Sequence, residues 1–451
     1  MTAVQYKIRE FMKDYNIAIL GCGTVGSGVA KIITEMKDNL SKRSGHNIRI
    51  AKIVDIYPEA AAKKSGMPLN MFVNPKETLS KEEANAAIEE VIADKNIHLV
   101  VETIGGDSSY IENIHESVIK AGKHIVSANK ALLAKTGAQL FALAEANNVS
   151  VGFEASVCGA IPIIKNLTEC FTGDDVENIS GIMNGTSNFI LSNMVQKGIS
   201  FDEALKEAQD KGYAEANPSL DINGGDAANK LKILIQVAFG IDASKQNFDI
   251  KGIEKVSAID ISFAKGINSV IKLICFVQRK NNKLYATVQP MMIHKDLFLS
   301  DINGATNAVR IFTKYATENI LVGQGAGMAE TGSAVVADIV DIARGDKLRS
   351  SLPHDKCELR PFEEYEMPFN LIFKVKDVPG VTGMVTTTIG DENININTVG
   401  PNIHDNGFAY FSVVTARTPL SSVHRAVAKM IAQRPDVFIE EVKIFPIMET
   451  V

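Results

Sequence analysis

Sulfur and imidazole are scarce in this sequence: 451 residues carry five cysteines and eight histidines. Cys22, Cys158, Cys170, Cys275 and Cys357 are odd in number and share no close spacing. A disulfide framework or a zinc site draws on paired cysteines, so neither is expected, and a reducing compartment fits best. The histidines are equally dispersed, with no motif that would collect a transition metal. Positive charge is not in excess either, with 47 Lys and Arg against 53 Asp and Glu. Without a basic block or a basic helix, no nucleic-acid partner and no membrane-surface partner is expected. No apolar run approaches the ~18 residues of a membrane span, and no basic-then-apolar signal opens the chain. The expectation is a cytoplasmic protein.

What is present is an ordinary globular composition, 45% hydrophobic and 22% charged. The length suits about three domains at ~150 residues each. Over residues 1–165, short apolar runs (17–20, 49–54, 98–102, 124–127 and 150–154) alternate with helix-like segments (25–36, 81–93, 111–120 and 138–146). That alternation predicts βαβ units and a parallel sheet, an α/β domain of Rossmann type. From 166 to 310 the texture is mixed α+β, with helices expected over 181–191, 202–211 and 226–239 and strands at 256, 271–278 and 285–292. A Gly-rich stretch, 323–327, opens a helical run over 333–344, within a segment (311–345) expected to return to the nucleotide domain. Residues 346–366 read as a polar linker. The last segment, 367–451, runs strand 370–375, helix 385–391, strands 394–399 and 408–415, helix 420–432 and strand 437–444. That order, βαββαβ, is the ferredoxin-like unit.

Gly21-Cys22-Gly23-Thr24-Val25-Gly26 lies between an apolar strand and a helix. There Gly21 makes the tight turn, Gly23 lets backbone approach a pyrophosphate, and Gly26 allows close helix–strand packing. The N–H groups of the helix opening, from Thr24 and Val25 onward, favour an anion. Asp55 closes the second strand and is the natural partner of a ribose 2′-hydroxyl. It lies further along than the usual ~20 residues, which implies a longer first helix or an insertion near 41–47. A carboxylate there favours NAD over NADP. Asp226 and Lys230, four residues apart, share one helix face, and by themselves would be a surface salt pair. Cys22 and Cys158 have no neighbouring histidine and read as packing residues.

Four further stretches carry a resemblance: Ser127-Ala128-Asn129-Lys130-Ala131-Leu132-Leu133, Glu154-Ala155-Ser156-Val157-Cys158-Gly159-Ala160-Ile161-Pro162, Gly181-Ile182-Met183-Asn184-Gly185-Thr186-Ser187-Asn188, and the run from Gly212-Tyr213-Ala214-Glu215 through Asp221 and Asp226 to Lys230. In order and separation they resemble homoserine dehydrogenase, over about residues 16–344, and the C-terminal segment resembles an ACT domain. The resemblance implies reversible, NAD(P)-linked reduction of aspartate 4-semialdehyde to homoserine, with 166–310 as the substrate and dimerisation domain. It implies Lys230 as general acid/base beside Asp226, Glu215 and Asp221 on the substrate ammonium, and Lys130 at the nicotinamide and substrate. It also implies Thr103 at the nicotinamide, Gly327 in the segment closing over the cofactor, and a structural sodium ion on the main-chain carbonyls of Glu154, Val157, Gly159 and Ile161. The turn Asp377-Val378-Pro379-Gly380 would take a threonine effector, and the assembly would be a homodimer or homotetramer. Two alternatives stand beside this reading: a related NAD-dependent amino-acid oxidoreductase, and a catalytically silent sensor of NAD and amino acid.

Overall fold

The alternation of apolar and amphipathic runs builds a five-stranded parallel sheet. In the computed structural model, which describes residues 12–245, 248–351, 357–405 and 407–449, two units form. The first comprises Met1–Val176, Asn229–Asn247 and Leu321–Asp355, and the second Glu177–Ala228, Phe248–Ile320 and Lys356–Val451.

In the first unit, β1 (Asp14–Leu20), α1 (Thr24–Glu35), β2 (Asn47–Val54), α2 (Lys81–Ala93), β3 (Leu99–Glu102), α3 (Ser109–Lys120), β4 (His124–Ser127), α4 (Lys130–Ala146) and β5 (Val151–Gly152) follow in sequence. The strands pair in parallel in the order β2-β1-β3-β4-β5. β3 is buried along its whole length, as a strand with helices on both faces must be. An extra helix, Lys37–Ser44, ending on left-handed Gly45, accounts for the distance between the glycine loop and Asp55. α2 opens on a capping box between Ser80 and Glu83. The helix expected over 138–146 starts eight residues earlier, at Lys130, because Asn129 caps it by accepting the Leu132 N–H at 3.2 Å.

The return segment contributes α8 (Met328–Arg344) to this unit, and α8 lies against α1 backbone to backbone. A Cβ on Gly28 would stand 2.1 Å from the Met328 carbonyl oxygen, and one on Gly332 would stand 3.0 Å from the Gly28 carbonyl carbon.

The second unit differs more from the sequence expectations. From residue 176 to 324 the chain forms β6 (Val176–Ile182), α5 (Gly185–Lys197), α6 (Phe201–Asp210), α7 (Gly225–Phe239), β7 (Ser269–Lys280), β8 (Lys283–His294), β9 (Thr306–Thr313) and β10 (Thr317–Gln324), with Asn229 onward in α7 and Leu321 onward in β10 belonging to the first unit. The helix expected from 181 is corrected: Gly181 and Ile182 end a buried strand, and Asn184 starts the helix by accepting the Ser187 N–H at 2.8 Å. Val256 lies in no strand; Ala258–Gly266, just beyond it, is helical.

The C-terminal part forms β11 (Phe369–Lys376), α9 (Val381–Asp391), β12 (Ile396–Val399), β13 (Phe408–Thr415), α10 (Leu420–Gln433) and β14 (Lys443–Met448). Its strand order β14-β11-β13-β12 is that of the ferredoxin-like unit. The last strand falls later than the expected 437–444, because Phe438 makes only an isolated bridge to Val375. β14 also pairs in parallel with β8, Ile447 opposite Met292, which extends one sheet in the order β10-β9-β6-β7-β8-β14-β11-β13-β12.

The expected linker is corrected at its end. Glu358–Arg360 adds a strand to β8, and Phe362 and Tyr365 are buried among Phe276, Tyr285 and Phe369. Residues 352–356 of that linker lie outside the described residues. Among the described residues, no helix is long and apolar enough to cross a membrane.

Candidate active site

Strand order reverses direction between β1 and β3, and ligands of doubly wound sheets bind outside the carboxyl ends of the strands at such a point. The glycine loop follows β1 there. Gly21 is left-handed (φ 85°) and its N–H donates to the Val54 carbonyl at 2.8 Å. Gly26 is required by crowding, since a Cβ would fall 2.2 Å from the Gly21 carbonyl oxygen. A Cβ on Gly23 would meet no protein atom within 4 Å, and no side chain caps α1. The first-turn N–H groups are therefore left for an anion, so the loop fits a dinucleotide pyrophosphate.

Asp55 reaches back to this loop. One carboxylate oxygen accepts the Cys22 N–H at 2.6 Å and the other accepts the Tyr57 N–H at 2.8 Å. Lys64, distant in sequence, donates to the Thr24 hydroxyl at 3.0 Å, a neighbour that only the tertiary fold reveals. Cys22 is buried, and burial pushes its thiol pKa up, which suits packing and not nucleophilic chemistry. Thr103 follows β3, with its hydroxyl donating to the Gly21 carbonyl and its N–H to the Leu20 carbonyl at 2.9 Å. Lys130 is the first residue of α4, just beyond β4.

The loop after β5 turns through two successive left-handed residues, Cys158 (φ 54°) and Gly159 (φ 44°). A Cβ on Gly159 would lie 2.9 Å from the Gly325 carbonyl oxygen, and the Ala160 N–H donates to Gln324 at 3.1 Å. The Gly-rich stretch before α8, ending at Gly327 (φ 145°), thus runs beside residues 159–160. The carbonyls of Glu154 and Ile161 accept N–H groups of Val157 (3.4 Å) and Ile163 (2.8 Å). The buried Glu154 carboxylate accepts the Ile164 and Lys165 N–H groups at 2.8 and 2.9 Å, and Asp338 accepts the Glu154 N–H at 2.9 Å. Burial, with Asp338 adding to it, pushes Glu154 up to about 7; burial also raises Asp338 to about 6. Lys165, 3.2 Å from Asp338, offsets part of that cost. Among the described residues, no group of three or more His, Cys, Asp or Glu side chains could hold a metal.

In the second unit, Asn184 is a hub that sequence reasoning left without a role. Its amide donates to Asp221 at 2.7 Å and to Asp226 at 2.9 Å, while its oxygen caps α5. Ser187 donates to the Asp221 carbonyl, and Thr186 to the Tyr213 carbonyl, both at 2.7 Å. The segment from Tyr213 to Asp226 is thereby pinned to the start of α5. Glu215 stands exposed on it. Asp226 and Lys230, on α7, are 8% and 7% exposed, which overturns their reading as a surface pair. Buried charges at adjacent turns of a helix cost free energy and are characteristic of chemistry, not of a solvated face.

A glycine loop at the switch point of a parallel sheet, together with a buried lysine and carboxylate on one helix, is the equipment of a nicotinamide-dependent oxidoreductase. The family model for the homoserine dehydrogenase NAD binding domain matches residues 21–154, and that for homoserine dehydrogenase matches 162–340. Homoserine dehydrogenase of Neisseria gonorrhoeae is 36% identical over 428 residues, covering 92% of this chain and 95% of that protein. The crystal structure of a homoserine dehydrogenase from Thiobacillus denitrificans superposes with a TM-score of 0.88 at 34% identity, covering 97% of this chain and 99% of that one. A hyperthermophilic archaeal homoserine dehydrogenase in complex with NADPH has a TM-score of 0.61 at 28% identity, covering 74% of this chain and all of its own. The chain belongs to the homoserine dehydrogenase family, NAD(P)-dependent oxidoreductases that act on a CH–OH group.

Proposed function

We propose that the chain carries out its family's reaction, the reversible reduction of L-aspartate 4-semialdehyde to L-homoserine, with Lys230 as the general acid/base. The observation that carries this assignment is the burial of Lys230 and Asp226 on α7, with Asp226 held by Asn184. Hydride transfer is the chemistry that a bound nicotinamide supplies. This chain's own task is to hold a proton at the Lys230 Nζ for the oxygen that becomes the alcohol, and to take it back in the reverse direction. Glu215 and Asp221 bind the substrate ammonium, with Asn184 fixing the Asp221 carboxylate. Lys130, at the start of α4, contacts the substrate and the nicotinamide end, and Thr103 contacts the nicotinamide.

The pyrophosphate lies on Gly21, Gly23, Thr24, Val25 and Gly26, with Gly327 in the segment that covers the cofactor. Asp55, on the ribose, makes NAD the preferred cofactor over NADP, because its carboxylate repels a 2′-phosphate. The main-chain carbonyls of Glu154, Val157, Gly159 and Ile161 hold a sodium ion in a structural role, as oxygen-only ligation suits a hard cation. Residues 367–451 act as an ACT domain that takes threonine at the turn 377–380, where Gly380 is left-handed (φ 88°). The assembly is a homodimer or homotetramer.

Homoserine oxidation followed by NADH and NADPH absorbance, with and without threonine, tests these roles. Lys230→Ala is expected to lose about 10²–10⁴-fold in kcat, the usual worth of a positioned acid/base group, while still binding dinucleotide. A folded wild type with no homoserine-dependent signal on either cofactor would overturn the proposal. A Lys230→Ala variant of wild-type kcat would overturn the proton assignment alone.

A further inference from the structure

At the core of the first unit a carboxylate is buried where neither cofactor nor substrate is assigned to touch it. Glu102, the last residue of β3, is 0% exposed. One of its oxygens accepts the N–H groups of Ile104 (2.7 Å) and Gly105 (3.0 Å), and the other accepts from His115 Nε2 (2.9 Å) and the Ser127 hydroxyl (2.8 Å). His115, on α3, is also fully buried. Burial works against the charged form, but the hydrogen bond from His115, its charge interaction and the bonds from Gly105 and Ser127 outweigh it and hold the carboxyl below the usual glutamate range.

Both ends of this network lead to turns at the carboxyl edge of the sheet. On one side the two N–H bonds shape the turn after β3, where Gly105 and Gly106 are left-handed (φ 83° and 86°) and which begins with Thr103. On the other, the Ser127 hydroxyl accepts the Asn129 N–H at 3.0 Å, so Glu102 fixes the turn after β4 through one intermediary. Asn129 then closes the circuit: its amide donates to the Gly106 carbonyl at 2.7 Å, and its oxygen caps α4, whose first residue is Lys130. An interior carboxylate costs free energy unless its lone pairs are filled, and these donors come from the two turns that must be held in register.

We infer that Glu102, seated by His115, is a positioning residue that locks the turns carrying Thr103 and Lys130 into one rigid rim, through its bonds to Ile104, Gly105 and Ser127. It touches neither reactant; its effect passes through the placement of Lys130, and the inference rests on the role proposed for that lysine. The dinucleotide grip lies on the glycine loop, which Asp55 organises from β2, and it meets the rim at Thr103, whose hydroxyl donates to the Gly21 carbonyl. Loss of the Ser127 link, which leaves the Thr103 turn bonded to Glu102, therefore lowers kcat and leaves the grip of the glycine loop in place.

The test is a double-mutant cycle on homoserine oxidation in the full chain, using Glu102→Gln and Ser127→Ala, each alone and combined with Lys130→Ala. Ser127→Ala removes only the link from the carboxylate to the Asn129 turn, so it decides the matter if Glu102→Gln does not fold. Each single change is expected to lower kcat about 10- to 100-fold, the usual cost of a misplacement near 1 Å, and for Ser127→Ala, which leaves the bonds of Glu102 to the Thr103 turn in place, the KM for dinucleotide should change by less than about 3-fold. In the Lys130→Ala background the same changes should cost less than about 3-fold, since residues acting as one unit are not additive. Wild-type kcat in Ser127→Ala, or an undiminished loss on top of Lys130→Ala, would overturn the inference. Wild-type kcat in Lys130→Ala alone would instead overturn the role proposed for that lysine, and the inference with it.

Discussion

Glu102 in the first unit and Lys272 in the second are buried ions of opposite sign, and the two are solvated differently. Glu102 in the first unit is surrounded by four donors, two of them backbone N–H groups of a tight turn. It stays ionised and falls below its ordinary pKa. Lys272, on β7 of the second unit, is 2% exposed and is surrounded by neutral acceptors: the Ile302 carbonyl at 2.6 Å and the side-chain oxygens of Asn188 (3.1 Å) and Asn303 (3.2 Å). Burial still pushes it down to about 8, with Asp301 pushing back. The carboxylate shapes turns at the carboxyl edge of the parallel sheet; the ammonium ties β7 to α5 and to the 302–303 turn. Backbone donors fixed by a turn replace water more completely than amide oxygens gathered from two segments do.

The comparison is easiest to break at Glu102. Glu102→Leu leaves His115, Ser127 and two N–H groups facing a methyl pair, and stability should fall by about 3–5 kcal/mol, the scale for breaking a buried charged network. Equilibrium unfolding in urea measures it, and a loss below about 1 kcal/mol would mean that the network does not fix the turns. A smaller effect, with a distinctive pH profile, belongs to Lys272. Its folded pKa of about 8 lies below the ordinary lysine value of 10.5. Between those pH values the unfolded chain binds the extra proton, so the burial penalty is full below pH 8 and is relieved as pH rises towards 10.5. Relative to Lys272→Met, wild type should gain on the order of 3 kcal/mol across that window. Parallel stability profiles at pH 7.5 and 10 would show that Lys272 keeps its solution affinity for the proton.

The same contrast governs what could be read before the fold was known. The first unit announces itself locally: buried parallel strands are apolar runs, helices between them are amphipathic, and Gly21, Gly23 and Gly26 mark the one loop whose spacing has a mechanism. Asp55 could be picked out because it ends a strand, whereas Lys64 becomes the neighbour of Thr24 only through tertiary structure. In the second unit, β6 and β9 carried no clean alternation, since their side chains are buried or half-buried on both faces. Gly181 to Asn188 then read as a single helix, although Asn184, the residue that ends the strand's influence by capping, was in plain view. The hub roles of Asn184 and Glu102 were illegible for a physical reason: each depends on partners from elements distant in sequence, Asp221 and Asp226 for one, His115 and Ser127 for the other. Phe362 and Tyr365 were hidden by the polar residues around them, which gave the core's aromatic edge the look of a linker.

Glycines offer the finest comparison between the units. Gly28 sits where α1 meets α8, and a methyl there would press to 2.1 Å from the Met328 carbonyl oxygen, a backbone atom with no rotamer to yield. Gly390, in the last turn of α9, has open space around its Cβ position and no left-handed φ. Gly28→Ala should therefore destabilise by about 1–3 kcal/mol through overpacking. Gly390→Ala should stabilise by about 0.4–1 kcal/mol, because it restricts the unfolded chain and meets nothing in the folded one. Scanning calorimetry of the two variants reads both signs. If Gly28→Ala leaves the transition unmoved, the α1–α8 crossing yields at low cost, and Gly28 owes its identity to something other than packing. If Gly390→Ala lowers it, the exposed end of α9 is covered by something beyond the chain itself, and Gly390 is then constrained from outside as Gly28 is from within.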